Sequence, residues 1–267
     1  MGHVRELPRL FLSGQLLVSE GYASRGYLLC SRANGWSHER AVSDYRNALE
    51  LNPNLAEAHH QLINVYNHVG ILKKAQGEIQ KAVTLDPLNT GSHYRVAITL
   101  LYQGKYEESL VEMRDSEKFL PHFIAFQTSF ALQHLGGREQ AKERIDALLD
   151  RSPSDDGGSL TAMQALLAAD AGDVHLAEHK IQEALLKGKG YQHFHHITYA
   201  VASAYALLDR REQALQYLRL TAEDGFPCYP LFEHDSNLDH PRRDPRCLSF
   251  LAEQKSNGNT SGNTDSL

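Results

Sequence analysis

The chain has 267 residues, a formal net charge of −6 and 42% hydrophobic residues, so it can bury one large domain or one repeat array. Its 27 Lys and Arg residues are scattered rather than gathered in a stripe, which excludes phosphate neutralisation and, with it, nucleic acid as the expected partner. Cys30, Cys228 and Cys247 are odd in number and far apart, against a disulfide framework, and no apolar stretch reaches the roughly 20 residues of a membrane span, so a soluble, cytoplasmic chain with no membrane partner is expected.

Residues 1–21 form a lead-in, predicted helical, in which the apolar run Leu10–Val18 is interrupted by Ser13 and Gln15 and is not read as a secretory signal. From Tyr22 to Pro227 the chain repeats itself. Ala41, Tyr45, Ala48 and Pro53 return at the same spacing as Ala75, Ile79, Ala82 and Pro87, then as Ser109, Met113, Ser116 and Pro121, with a period of about 34 residues. A small residue, a bulky one four later and a small one three after that share one helix face, and the proline ends the helix. Upstream of each block lies a second amphipathic segment, Ala56–Val69 and Thr90–Gln103, closed by Gly70 and Gly104. The unit is therefore helix, short turn, helix. Small residues are needed where two helix axes cross at about 8–10 Å, so Ala75 and Ala82 are expected to be buried.

On these residues the chain resembles the tetratricopeptide repeat. The copy at 56–89 matches at Leu62, Tyr66, Gly70, Ala75, Ile79, Ala82 and Pro87, and the copy at 90–123 at Val96, Ala97, Leu100, Gly104, Ser109, Met113, Ser116 and Pro121. The resemblance implies an all-α fold, a right-handed α-solenoid of antiparallel helix pairs forming a superhelix. About six pairs are predicted in 22–227. The first carries Arg32 where a large apolar residue is usual, and its turn, Asn34–Arg40, is one residue longer than the pattern. The fourth, near His122–Asp155, keeps Gly136, Ala141, Ile145 and Pro153, while its first helix fits two registers. The fifth, about Gly158–Gly190, has Gly172, Ala177, Ile181 and Ala184, with Gly188 and Gly190 in place of a terminating proline. The sixth, about His195–Phe226, supplies Val201, Ala202, Tyr205, Ala214, Leu218 and Thr221.

The following segment resembles one that closes such repeats in many bacterial multidomain signalling proteins, and it matches at Asp235, Leu238, Asp239, Arg242, Asp244, Pro245 and Arg246. Residues 228–254 are thus expected to cap the apolar end of the array with Leu248, Phe250 and Leu251, and 255–267 to be a disordered tail.

His175, Glu178 and His179 satisfy the H-x-x-E-H pattern of inverted zinc peptidases. Ala177, however, is the small crossing residue of the fifth copy, which turns all three outward, and a metallopeptidase needs a further ligand and an enclosed open position. His193, His195 and His196, interleaved with Tyr191 and Phe194, are read as a helix start packed on the preceding pair, with a metal or proton-sensing patch as the alternative. No catalytic residue, cofactor or metal is assigned, and the chain is not read as an enzyme.

The resemblance also implies a concave groove lined by the first helix of each pair. By the repeat register Glu57, His60, Asn64, Tyr94 and Ile98 face it, with Phe126, Phe130 and Tyr199; in the other register of the fourth copy Phe126 and Phe130 belong to the core. Such a groove is aromatic and mildly polar, suited to an extended segment or helix of a protein or peptide partner. Family members that grip a chaperone's terminal carboxylate use Lys, Asn and Arg at set positions; here His60 and Arg95 replace the lysine and an asparagine, which argues against that partner. The expected function is a protein-interaction scaffold; the alternative is the sensory or regulatory portion of a bacterial signalling or transcription-regulating protein whose output domain is absent.

Overall fold

The computed structural model describes residues 6–114, 116, 121–155 and 157–262, with side chains from 14 to 257. The described residues form α-helices and three short 3-10 turns, without strands. Six helical hairpins follow one another: α1 (Glu6–Leu29) with α2 (His38–Leu51), α3 (Ala56–His68) with α4 (Leu72–Leu85), α5 (Thr90–Tyr102) with α6 (Tyr106–Met113), α7 (Pro121–His134) with α8 (Arg138–Arg151), α9 (Ser159–Asp170) with α10 (Val174–Lys187), and α11 (Phe194–Leu207) with α12 (Arg211–Glu223). A short α13 (Tyr229–His234), two 3-10 turns and α14 (Pro245–Gly262) complete the chain. The architecture is an α-solenoid of helix pairs.

The small residues lie where the repeat requires them. Ala41, Ala48, Ala75, Ala82, Ala141, Ala177, Ala184 and Ala214 are all buried. Where a hydroxyl replaces the methyl it is satisfied on the spot: Ser109 Oγ donates to the Ala97 carbonyl at 2.7 Å, and Thr221 Oγ1 to that of Tyr217 at 2.8 Å. Between the helices of a pair the chain turns through a left-handed residue, with φ of 75°, 74°, 76° and 76° at Gly70, Gly104, Gly136 and Gly172. Asp209 takes the same conformation in the sixth pair, at φ 54°.

The two helices of a pair differ in their surroundings. α4, α8, α10 and α12 each bury a single face, whereas α7, α9 and α11 bury residues all round. These last three form an inner layer in which α9 packs between α7 and α11, with the outer helices on one side and the closing segment against α7 and α11.

Four expectations are corrected. Pro121 does not end the second helix of its copy: α6 stops at Met113, and Pro121 opens α7, where its missing N–H costs nothing. The fourth copy takes the core register, so Phe126 and Phe130 are buried. Leu248 is 53% exposed; the covering residues are Leu238, Cys247, Phe250 and Leu251. The tail expected to be disordered from Lys255 continues as helix to Gly262, because α14 is anchored by Cys247, Phe250, Leu251 and Gln254, and extending a nucleated helix is cheap. Residues 263–267 of that tail, and 1–5 of the lead-in, lie outside the described residues.

Candidate functional site

Of the eight residues assigned to the groove, Asn64, Tyr94, Ile98, Phe126, Phe130 and Tyr199 surround an interior that the chain itself fills, whereas Glu57 and His60 border a separate open cleft. His60, Tyr94, Ile98, Phe126, Phe130 and Tyr199 are buried, Asn64 is half-buried, and Glu57 is exposed. Phe226, just past α12, occupies the middle. Its ring centroid lies 5.5 Å from that of His68 on α3, 5.3 Å from Tyr102 on α5, 5.6 Å from His195 and 6.1 Å from Tyr199 on α11, and 6.2 Å from Phe232 on α13. A space of only ≈ 10 Å³ remains beside it, and one of ≈ 30 Å³ between α3, α5 and His196. That is room for about one or two water molecules and for no side chain of a partner.

Two sets of contacts hold the hollow shut. At one, the turn after α1 meets the start and end of the sixth pair. Arg32 Nε lies 3.1 Å from the Asp224 carboxylate and its guanidinium covers the Phe194 ring at 5.2 Å, while His38 Nε2 donates to the Gly225 carbonyl at 3.0 Å. Gly225 has φ 94°, and a Cβ there would lie 2.4 Å from the Trp36 ring, so only glycine permits this approach. At the other, the buried Asp235 carboxylate accepts from Tyr199 Oη (2.6 Å), His134 Nε2 (2.8 Å), the Asn237 backbone N–H (2.8 Å) and Ser203 Oγ (3.3 Å). Arg242 donates to the Asp235 carbonyl, and Gln133 and Asn237 exchange amide bonds at 3.0 and 3.2 Å. Burial alone would raise the Asp235 pKa. The bonds and charge of His134, joined by Tyr199 and the Asn237 N–H, outweigh it and hold the group below its ordinary 3.8. For His134 burial acts downward, and the Asp235 partner prevails to hold it above 6.5.

Beside Phe226 the closure gathers imidazoles. His68, the last residue of α3, approaches His195 and His196 in the first turn of α11, with ring centroids at 5.0 and 5.7 Å, and these two are 4.5 Å from each other. Trp36 stands edge-on to His195 at 5.0 Å. The cluster thus packs on α3 and the first turn of the array; the sequence reading had seated it on the preceding pair alone. His195 Nδ1 lies 2.9 Å from the Asp224 carbonyl, which can only accept, so Nδ1 carries the proton and Nε2 presents a lone pair. Burial, reinforced by neighbouring imidazoles, pushes the pKa of all three histidines well down, so they are neutral at pH 7.

Among the described residues, open clefts remain at the rim, two of them large. One, of ≈ 470 Å³, is bounded by Glu57, His60, Asp86, Leu88 and Arg95 at the starts of α3 and α5. Arg95 Nε donates to the His60 carbonyl at 3.1 Å, and burial followed by the Arg95 charge lowers the His60 pKa to about 4. The other, of ≈ 390 Å³, is bounded by Trp36, His38, Glu39, Val69, Pro227 and Asn257.

His175, Glu178 and His179 lie on the exposed face of α10, with Arg210 3.9 Å from Glu178. All three cysteines are free, and burial pushes the Cys30 and Cys228 thiols up to about 12, leaving them protonated. Among the described residues no helix is long and apolar enough to cross a membrane. Sequence reasoning missed His68, Phe226, Asp224 and the role of Asp235. Arg32, the polar residue in an apolar repeat position, was the one departure that pointed toward them.

No family model matches the sequence, and no curated protein does. Solved structures match it in fold. PilF of Pseudomonas aeruginosa is 19% identical over 90% of this chain and 99% of its own, with a TM-score of 0.53. TTC0263, described as a thermophilic TPR protein of Thermus thermophilus, is also 19% identical, over 75% of this chain and 99% of its own, with a TM-score of 0.55. PilW, described as a widely conserved type IV pilus biogenesis factor, is 15% identical over 83% and 96%, with a TM-score of 0.56. At these identities the likeness shows the fold, that of tetratricopeptide-repeat proteins.

Proposed function

We propose, from the tetratricopeptide-repeat fold of this chain, that it is a protein-interaction scaffold that receives a segment of a partner protein at the open cleft between the starts of α3 and α5. Repeat arrays present long continuous surfaces that suit such segments. The observation that carries the reading is the contrast between the filled hollow and this cleft. The groove expected along Tyr94, Ile98, Phe126 and Phe130 is occupied by Phe226 and α11, whereas its end at Glu57 and His60 is open and is flanked by Leu88, 89% exposed. An apolar partner side chain against Leu88, beside the charged Glu57 and Asp86, matches that surface.

The test is crosslinking capture with the full chain and with the double variant Leu88→Asp, Glu57→Lys. Both positions are exposed, so folding stability is expected to change by no more than about 0.5 kcal/mol. Partners recovered by the wild type should be lost from the variant. Equal recovery by a variant with an unchanged melting temperature would reject the cleft as the docking surface.

A further inference from the structure

Among the described residues, one group brings three metal-capable side chains together: His68, His195 and His196 each offer a ring nitrogen, and the three nitrogens lie within 4.8 Å of one another. His68 comes from the end of α3 and the other two from the start of α11, so the group exists only because the array closes. The hydrogen-bonding of His195 is that of a metal ligand. Its Nδ1–H is spent on the Asp224 carbonyl, while its Nε2 is buried, faces the other rings and has no hydrogen-bond partner. Leaving a buried acceptor unsatisfied costs about 1–3 kcal/mol, so the atom calls for an explanation. A ligating imidazole that donates its other N–H to a carbonyl or carboxylate is the usual outer-shell arrangement, since it fixes the tautomer and strengthens the donor nitrogen. The Asp224 carboxylate adds to it, 3.8 Å from the same Nδ1 and held by Arg32 at 3.1 Å.

We propose that His68, His195 and His196 bind one divalent transition-metal ion of the zinc class, which clasps α3 to α11 and holds the hollow closed. Three imidazoles with no thiolate favour Zn²⁺ and its neighbours in the Irving–Williams series over Mg²⁺ or Ca²⁺, which require oxygen ligands. Tetrahedral zinc with bonds of about 2.0–2.1 Å places its nitrogens about 3.4 Å apart, so the three rings turn inward on binding. The side of the group nearest His193, whose ring is 5.5 Å from His195 and 6.0 Å from His196, leaves the fourth position to that imidazole or to water. His38 does not compete, because its Nε2 already donates to Gly225 and its Nδ1 faces Cys30 Sγ at 3.8 Å.

The experiment uses the full chain purified without a histidine tag and stripped with chelator. Zinc chloride is titrated calorimetrically, and cobalt(II) is added in parallel for its visible absorption. The comparisons are His68→Gln, at a half-buried position where folding is expected to survive, and the double variant His175→Ala, His179→Ala, which removes the surface pair on α10. Expected are one ion per chain, cobalt bands of a nitrogen-ligated site, a melting temperature raised by zinc, and affinity at least ten-fold weaker in His68→Gln with the surface-pair variant unchanged. Failure to bind zinc would overturn the assignment. So would unchanged affinity in His68→Gln, or loss of binding in the surface-pair variant. The outcome is independent of the docking cleft, which lies at the other end of α3.

Discussion

Between Ala56 and Met113 the helices are joined by neighbours in the chain, as when Ser109 bonds to Ala97 only 12 residues away. Where the array closes, His38 of the first pair reaches Gly225 across 187 residues, and His134 of the fourth reaches Asp235 in the closing segment across 101. The first region needs little more than a small side chain at a fixed interval. The second needs particular polar groups, each with its partner, because a buried carboxylate or imidazole left alone costs several times what a misplaced methyl does. The same fold is thus stabilised by regularity in one place and by departures from regularity in the other.

The contrast is broken most severely at Asp235. Its replacement by alanine strands Tyr199, His134 and the Asn237 N–H and should cost about 3–5 kcal/mol in urea denaturation. A loss below about 1 kcal/mol would show that the closing segment contributes little to the fold. Within the regular region, Ala75→Leu overpacks the α3–α4 crossing and should cost about 1–3 kcal/mol, seen as a lower melting temperature; no change would refute the register. The smallest effect is one of pH. Because the folded pKa of His134 is raised, its contribution is fully present below 6.5 and is lost as pH rises through the raised value. Because that of Asp235 is depressed, its contribution is present above 3.8 and is lost as pH falls through the lowered value. The pair is therefore strongest between these limits, and His134→Gln should destabilise the protein more at pH 5.5 than at pH 8.5. Equal losses at both would mean that the imidazole does not change charge between them.

The hairpins were legible because crossing helices impose the same demand at every repeat: Ala75, Ala82, Ala177 and Ala184 could be assigned from spacing alone, and all are buried. The inward direction of Tyr94, Ile98 and Tyr199 was legible for the same reason. That the hollow is full was not, since period and register say which way a side chain points and nothing of how tightly the array curls. His68 and His195 meet through that curl, and no local pattern links residues so distant. Some signal did exist. The segments that became α9 and α11 are apolar on nearly every side, SLTAMQALLAAD and FHHITYAVASAYAL, and a helix apolar all round is covered all round. The two competing registers of α7 had the same origin: when every face is buried, periodicity cannot choose among them.

An open stack can gain or shed a unit at its ends, because each repeat touches only those beside it. The seating of Trp36 over the bare α-carbon of Gly225 removes that freedom. Inserting or deleting one hairpin between them would carry the indole away from that seat, and the first and sixth hairpins, each leaning on the other, are denied the independent fraying of an open rod. The number of hairpins from the first to the sixth is therefore tied to ring closure, as the circumference of a wheel sets the count of its spokes.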